Sequence, residues 1–319
     1  MDIAILLPCK NEEHNIIKVI NDWKKAIPEA TIYVCDNNST DNSFELAQST
    51  GVKVFIETIA GKGAAIKKLL NEISADVYIM CDADDTYPAT REILVPILNG
   101  YDLVVGNRLS KTGEVGKINI IKKFGNNIFS RLCKKLLKSN IEDPLSGLRA
   151  FTKQFLQGLE LSNGFEIEME MNAHASKGYV AKNIPIIYKG RDEDKSKISI
   201  FKDGYKILKT LFKCKRNNKR LLSIEYINGA CIDSDDIYSK CYTLYKDGML
   251  KCLTSYCVSD SIIQTHLTVK KISNADIKYI LSNFKDFDKK QIPLEETWQV
   301  IYKNKTYPLT NVIIKSIIE

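Results

Sequence analysis

The sequence has no pair of cysteines at CxxC spacing, no apolar run near the roughly 18 residues of a spanning helix, and no complete glycine-rich phosphate loop. Its nine cysteines therefore make neither a zinc framework nor a disulfide scaffold. Cys9, Cys35 and Cys81 each end an apolar run, as buried, reduced thiols do. The start, MDIAILLPCKNEE, lacks a basic leader and is too short in apolar content for a signal peptide. A cytoplasmic protein is expected, one that does not cross a membrane but could lie on its face. The 319 residues, 44% of them hydrophobic, suffice for one large domain or two ordinary ones. A net charge of +7 favours phosphates, nucleic acid or an anionic membrane as partners, and decides nothing about the fold.

Two periods alternate over the first 110 residues. DIAILLP, ATIYVCD, VKVFIET, DVYIMCD and DLVVGNR are short, rich in β-branched residues and closed by polar residues or Gly, so they read as buried strands. EEHNIIKVINDWKKAI, DNSFELAQST and GKGAAIKKLLNEI have helical spacing, the first with Ile16, Ile17, Ile20 and Trp23 on one face. Such alternation predicts an α/β fold with a mostly parallel, doubly wound sheet, in which ligands bind at the carboxyl ends of the strands. Asn11 and Glu12, Asp36 to Ser39, Asp82 to Asp85, and Asn107 with Arg108 all fall at such ends.

The densest cluster is MCDADDTYP. In an extended segment Asp82 and Asp84 point to the same side, where they repel unless a cation lies between them. Hard carboxylate oxygens suit Mg²⁺ or Mn²⁺, which take further ligands from water and substrate phosphates. Alternatively the stretch is a solvated turn. Asp85 or Thr86 would then cap a helix over TREILVPIL.

LLPCKNEE, VCDNNSTDNS, GKGAAI, MCDADDTYP, VVGNRL, EDPLSGLRAF and IPIIYKGRDEDKSK, in this order and spacing, resemble glycosyltransferase family 2 with the GT-A fold, in its dolichol-phosphate mannose and glucose synthase branch. The resemblance covers residues 1 to about 215. It implies a nucleoside diphosphate sugar donor, with a GDP or UDP carrier, and a divalent cation, Mg²⁺ or Mn²⁺. Carried over, Pro8, Lys10 and Glu12 resemble the loop around the nucleoside, and Asp36 the acid beside base or ribose. Asn37 stands where many relatives have a second Asp, which bears on the choice between guanine and uracil. Capping of the next helix is the other reading of Asp36 and Ser39. Lys62, in the Gly61-Lys62-Gly63 loop, could meet phosphate together with the free N–H groups of a helix start, or lie on a tight turn. Asp82 and Asp84 resemble the metal pair, with Ala83 between them in the donor-binding stretch and Thr86 where some relatives supply a third ligand. Arg108 resembles an arginine that meets phosphate or acceptor, against the alternative of a surface ion pair. Arg191, Ser196 and Lys197 match an R-x-x-x-x-S-K loop over the diphosphate, in a stretch that by composition alone is a solvated loop.

A phosphate acceptor is already anionic, so positioning matters more than a base; a hydroxyl acceptor needs one. Asp143 and Glu168 are the candidate bases. On a helix, Ile167, Met171 and Ala175 form a stripe with Glu168 beside it and Glu166 and Glu170 opposite. Arg149 is the alternative partner for Glu168, and His174 is given no role. SIFKDGYKILKTLFKCKR, residues 199–216, is a basic amphipathic helix that either lies among lipid headgroups or docks on the protein.

Beyond KCKRNNKR the pattern changes, which divides a catalytic domain over 1–218 from a small, mostly antiparallel α+β domain over 219–319. LLSIEYI, CYTLYKDGMLKCLTSY, SIIQTHLTVKKI and WQVIYKNKTYPL read as its strands, with an Asp247-Gly248 hairpin turn and a helix over Asn274 to Phe284. The expected activity is a metal-dependent, inverting transfer of a hexose to a polyprenyl phosphate or another acceptor. No nucleic acid is expected among the partners. Sugar nucleotidyl transfer and a non-catalytic nucleotide-sugar-binding module are the competing readings.

Overall fold

The five apolar runs near the start form β1 (Ile3–Cys9), β2 (Thr31–Asp36), β3 (Lys53–Ile56), β4 (Val77–Met80) and β5 (Leu103–Asn107). Between them lie α1 (Ile16–Ala26), α2 (Ser43–Ser49), α3 (Lys62–Glu72) and α4 (Leu94–Leu98), the last preceded by a single 3₁₀ turn, Arg91–Ile93. The computed structural model describes residues 1–110, 120–190, 200–217, 220–227, 237–245, 249–259, 262–271, 298–302 and 305–309. Arg191, Ser196 and Lys197, the Asp247-Gly248 turn and the helix expected over 274–284 lie outside the described residues. The chain divides into two units, Met1–Lys215 and Arg216–Glu319.

The first unit continues through α5 (Ile120–Leu137), β6 (Arg149–Thr152), α6 (Ile167–Ala175), β7 (Ala181–Pro185) and α7 (Ile200–Asn217). Its seven strands form one sheet in the order β3-β2-β1-β4-β6-β5-β7. All neighbours pair in parallel except β6, which runs antiparallel to both β4 and β5. Reversal of β6 brings its leading residues, 143 to 148, to the edge where the parallel strands end. That edge also carries the turn of direction between β1 and β4, where the chain leaves β2 on one side and β4 on the other.

Ile3, Ile5, Leu7 and Cys9 of β1 pack in one core with Ile16, Val19, Ile20 and Trp23 of α1. The expected face of α1 is thereby corrected: Val19 is buried, while Ile17, a further 100° around the helix from Ile16, is exposed. Since β1 alternates, Ala4 and Leu6 face the opposite side, and they too are buried. Each buried Ile or Leu contributes about 1.5–3 kcal/mol. Helix α6 is also more buried than a single stripe, with Glu168, Met169, Asn172 and His174 enclosed beside Ile167, Met171 and Ala175. His174 Nε2 lies 2.9 Å from the Phe155 carbonyl, a structural contact.

Helix α7 docks through Ile207 and Leu211 onto Cys133 and Leu137 of α5 and Met169 and Ala173 of α6. The second unit shows one antiparallel sheet, β11-β10-β9-β8-β12-β13, from β8 (Arg220–Ile227), β9 (Ile237–Tyr245), β10 (Met249–Ser259), β11 (Ile262–Lys271), β12 (Trp298–Tyr302) and β13 (Lys305–Leu309). No described helix is long and apolar enough to cross a membrane.

Candidate functional site

The loops after β1 and β2 interlock. The Asn11 N–H donates to Ser39 Oγ and the Thr40 N–H to Asn11 Oδ1, at 3.0 and 2.8 Å. Buried Glu12 donates its N–H to Ser43 Oγ at 2.7 Å, and its carboxylate accepts from Asn15 Nδ2 at 2.9 Å. Pro8 lies within β1, while Lys10 is exposed just beyond it. Asp36 closes β2 and is 6% exposed. Its Oδ2 accepts from the Ser39 N–H at 3.1 Å, whereas Oδ1 is buried and has no hydrogen-bond partner among the described residues. A buried carboxylate oxygen without a donor is costly, and a ligand N–H or hydroxyl would satisfy it.

Asn37 is different. Its amide donates to the carbonyls of Glu57 and Ile59 at 2.9 and 2.7 Å and accepts from the Gly61 N–H at 2.7 Å. Both N–H groups are taken up by backbone, so the expectation that Asn37 reads the base is corrected: it shapes the loop from β3 to α3.

That loop departs from expectation too. The N–H groups of Gly63 and Ala64 donate to the carbonyls of Gly164 and Asn163, so the start of α3 does not offer them to phosphate. A Cβ on Gly61 or Gly63 would overlap the Asn163 or Ser162 carbonyl; the glycines are there for close backbone approach. Lys62 turns inward. Its ammonium lies 2.5 Å from Asp82 Oδ1 and 2.6 Å from Glu168 Oε1, with the side chain 9% exposed. Burial disfavours the charged amine, but the Asp82 and Glu168 carboxylates outweigh it and hold the lysine pKa above its ordinary value. Glu168 thus pairs with Lys62 rather than Arg149, whose buried guanidinium donates to the Ser146 and Pro144 carbonyls and to Asn172 Oδ1.

Asp82, buried Ala83 and Asp84 follow the carboxyl end of β4. Thr86 donates through N–H and hydroxyl to Asp84 Oδ1, at 3.2 and 2.6 Å, and so orients the acid instead of standing beside it as a third ligand. Asp85 starts no helix; Thr90 caps the next turn by accepting from the Glu92 N–H. With φ of 56°, Asp85 directs its carboxylate to Lys18 and Lys189 at 2.8 and 2.7 Å. Burial raises its pKa, but the two lysines prevail and hold it below the ordinary value.

Asp82 and Asp84 suit a divalent cation by chemistry. Both offer hard oxygens, and Gly147 carries no side chain where a Cβ would overlap Asp82 Oδ2. Among the described residues no group of three or more His, Cys, Asp or Glu makes a complete cage, so the remaining ligands would be substrate oxygens and water.

Arg108, at the end of β5, does not present a free guanidinium. Its Nε and Nη2 meet Asp143 Oδ2 and Oδ1 at 2.7 and 2.8 Å, and its N–H donates to Oδ2 at 3.0 Å. Asn126 Nδ2 adds a fourth donor at 2.7 Å. Burial pushes the Asp143 pKa up, but Arg108 and Asn126 more than offset this and keep it below the ordinary value. A fully buried carboxylate with four donors accepts no further proton readily, so the expectation of Asp143 as a base is corrected: it positions Arg108.

Two aromatic residues escaped the sequence reading. The Arg108 guanidinium lies 5.8 and 5.3 Å from the ring centres of Tyr87 and Tyr188, which meet edge to face. The Tyr87 hydroxyl accepts from the Gly147 N–H at 2.8 Å. Both tyrosines sit within the quoted motifs, MCDADDTYP and IPIIYKG, yet only their distance in space reveals the clamp.

The family model described as Glycosyl transferase family 2 matches residues 4–159. Glycosyltransferase AglJ of Haloferax volcanii is 33% identical over 225 residues, 69% of this chain and 74% of the relative. A dolichyl-phosphate hexose transferase of the same organism is 29% identical over 224 residues, 69% of this chain and 97% of the relative. A dolichol-phosphate mannosyltransferase of Pyrococcus furiosus is 28% identical over 238 residues, 70% and 65% of the two chains. Among solved structures, glucosyl-3-phosphoglycerate synthase from Mycobacterium tuberculosis, in complex with Mn²⁺, UDP-glucose and glycerol 3-phosphate, superposes with a TM-score of 0.52 at 19% identity, over 69% of this chain and 83% of that one.

Proposed function

The chain belongs to glycosyl transferase family 2 and is a glycosyltransferase, and from that premise we propose that it moves a hexose, with inversion, from a nucleoside diphosphate sugar to a polyprenyl phosphate. The observation that carries the reading is the placing, at one end of the same sheet, of Asp36 at the end of β2, its Oδ1 without a partner among the described residues, and of Asp82 and Asp84 just beyond β4. The names of the dolichyl-phosphate hexose transferase and dolichol-phosphate mannosyltransferase relatives support the acceptor. The Mn²⁺ and UDP-glucose in the structural neighbour support the donor class and a divalent cation.

In this reading Asp36 accepts from the nucleoside, beside Pro8 at the end of β1 and Lys10 and Glu12 in the loop that follows. Asp82 and Asp84 would hold Mg²⁺ or Mn²⁺, and such a cation supplies positive charge to the departing diphosphate. Arg108, held by Asp143 and flanked by Tyr87 and Tyr188, is a fixed cationic group on the same edge, its charge balanced by Asp143. Arg191, Ser196 and Lys197 are proposed to close on the diphosphate. A phosphate acceptor arrives ionised, so Glu168 need not take a proton; its bond to Lys62 suits that assignment.

A polyprenyl acceptor resides in a bilayer, and α7 supports a peripheral seat on the cytoplasmic face. Tyr205 and Phe212 are 68% and 52% exposed, and Lys206, Lys209 and Lys213 are exposed beside them. The deciding experiment screens nucleotide sugars for thermal stabilisation with and without Mn²⁺. It then incubates the best donor with undecaprenyl or dolichyl phosphate. Release of nucleoside diphosphate with sugar on the lipid phosphate is expected; a flat screen, or release without labelled lipid, refutes the assignment.

A further inference from the structure

Lys62 holds together two carboxylates from separate elements, half-buried Asp82 after β4 and buried Glu168 on α6. Its backbone is fixed independently of them, because the carbonyls of Asn163 and Gly164 cap the start of α3. Arg149, the other buried cation beside Glu168, directs its hydrogen bonds to the Ser146 and Pro144 carbonyls and to Asn172. The Lys62 ammonium is thus what keeps Asp82 and Glu168 from repelling each other, and it occupies Asp82 Oδ1.

We propose that Lys62 is a resident counter-ion on Asp82 that a divalent cation must displace or repel, so that it sets the metal affinity of the acid pair and makes metal binding depend on the diphosphate. The proposal rests on the reading of Asp82 and Asp84 as the metal-holding residues. An ammonium on Asp82 opposes a dication at the same carboxylate. The negative diphosphate offsets that repulsion, so cation and donor bind with mutual reinforcement, as linkage requires. Lys62 acts here as a positioning residue, through Asp82, and Glu168 is the group to which the displaced ammonium stays bound.

The test measures Mn²⁺ binding directly, from the free-ion electron paramagnetic resonance signal, with Mn²⁺ alone and with Mn²⁺ plus UDP or GDP. Wild type, Lys62→Met and Lys62→Met/Glu168→Gln are compared. Lys62→Met removes the repelling ammonium alone, and the double variant also removes the Glu168 charge that the ammonium neutralises, so that no second acid is left unpaired beside Asp82. Repulsion between an ammonium and a dication about 5 Å apart, even at the dielectric of water, corresponds to roughly ten-fold in affinity. Mn²⁺ alone should therefore bind Lys62→Met roughly ten-fold tighter than wild type, with the enhancement by nucleotide shrinking by a similar factor, and the double variant should keep a smaller part of that gain, because the ammonium touches Asp82 directly while Glu168 lies beyond it. If wild type takes up Mn²⁺ with nucleotide but neither variant binds Mn²⁺ alone tighter, this inference fails and the metal reading stands. If no form takes up Mn²⁺ under any condition, both are overturned.

Discussion

Arg108 and Asp143 form a two-point ion pair, Nε to Oδ2 at 2.7 Å and Nη2 to Oδ1 at 2.8 Å, with Asp143 wholly buried. Such a pair is weak evidence for net stability, yet removal of one partner leaves a charge without compensation. Asp143→Asn should therefore lower stability by about 3–5 kcal/mol, read from the urea midpoint at pH 7. A loss of activity with an unchanged midpoint would instead mark Asp143 as a group in the chemistry.

The same pair gives a pH dependence. Asp143 and Asp85 are both held below the ordinary carboxylate value of 3.8 in the folded chain. The unfolded chain therefore binds more protons in acid. Their contribution is fully present above the ordinary value and is lost as pH falls through the lower folded values. Melting temperature should fall steadily below about pH 4 in wild type, and less steeply in Asp143→Asn. Parallel acid slopes would show that Asp143 is not among the groups responsible.

Asn37→Asp separates two roles. The new carboxylate would face the Glu57 and Ile59 carbonyls, where the amide now donates. A loss of about 2 kcal/mol or more is expected from two broken bonds and unsatisfied carbonyls. A stable variant whose only change is a switch between uracil and guanine donors would restore Asn37 as a reader of the base.

Gly61 and Gly51 form a matched pair of tests. Both have positive φ, 130° and 78°, but a Cβ at Gly61 meets the Asn163 carbonyl while nothing lies within 4 Å at Gly51. Gly51→Ala should cost about 1 kcal/mol of backbone strain, and Gly61→Ala visibly more. Equal shifts in melting temperature would mean that the 162–164 segment yields freely.

If Asp84 helps hold the cation, as proposed, Asp84→Asn should reduce turnover of a verified donor by about 100-fold or more, with little change in melting temperature. Activity near wild type would remove Asp84 from the metal assignment.

Strand and helix positions over the first 110 residues were legible because each depends on neighbours a few residues apart, and so was the placing of Asp36, Asp82, Asp84 and Arg108 at strand ends, whereas α5 and β6 were not. Partnership was not legible. Lys62 lies 106 residues from Glu168, and Arg108 lies 35 from Asp143; no local period relates such positions. The sequence by itself determined which carboxylates and cations stand at the carboxyl ends of the strands. Only the tertiary structure, by reversing β6 and laying α6 beside the start of α3, decided which of them neutralise one another. Ion pairing depends on distance in space, and that distance is set by strand order rather than by spacing along the chain.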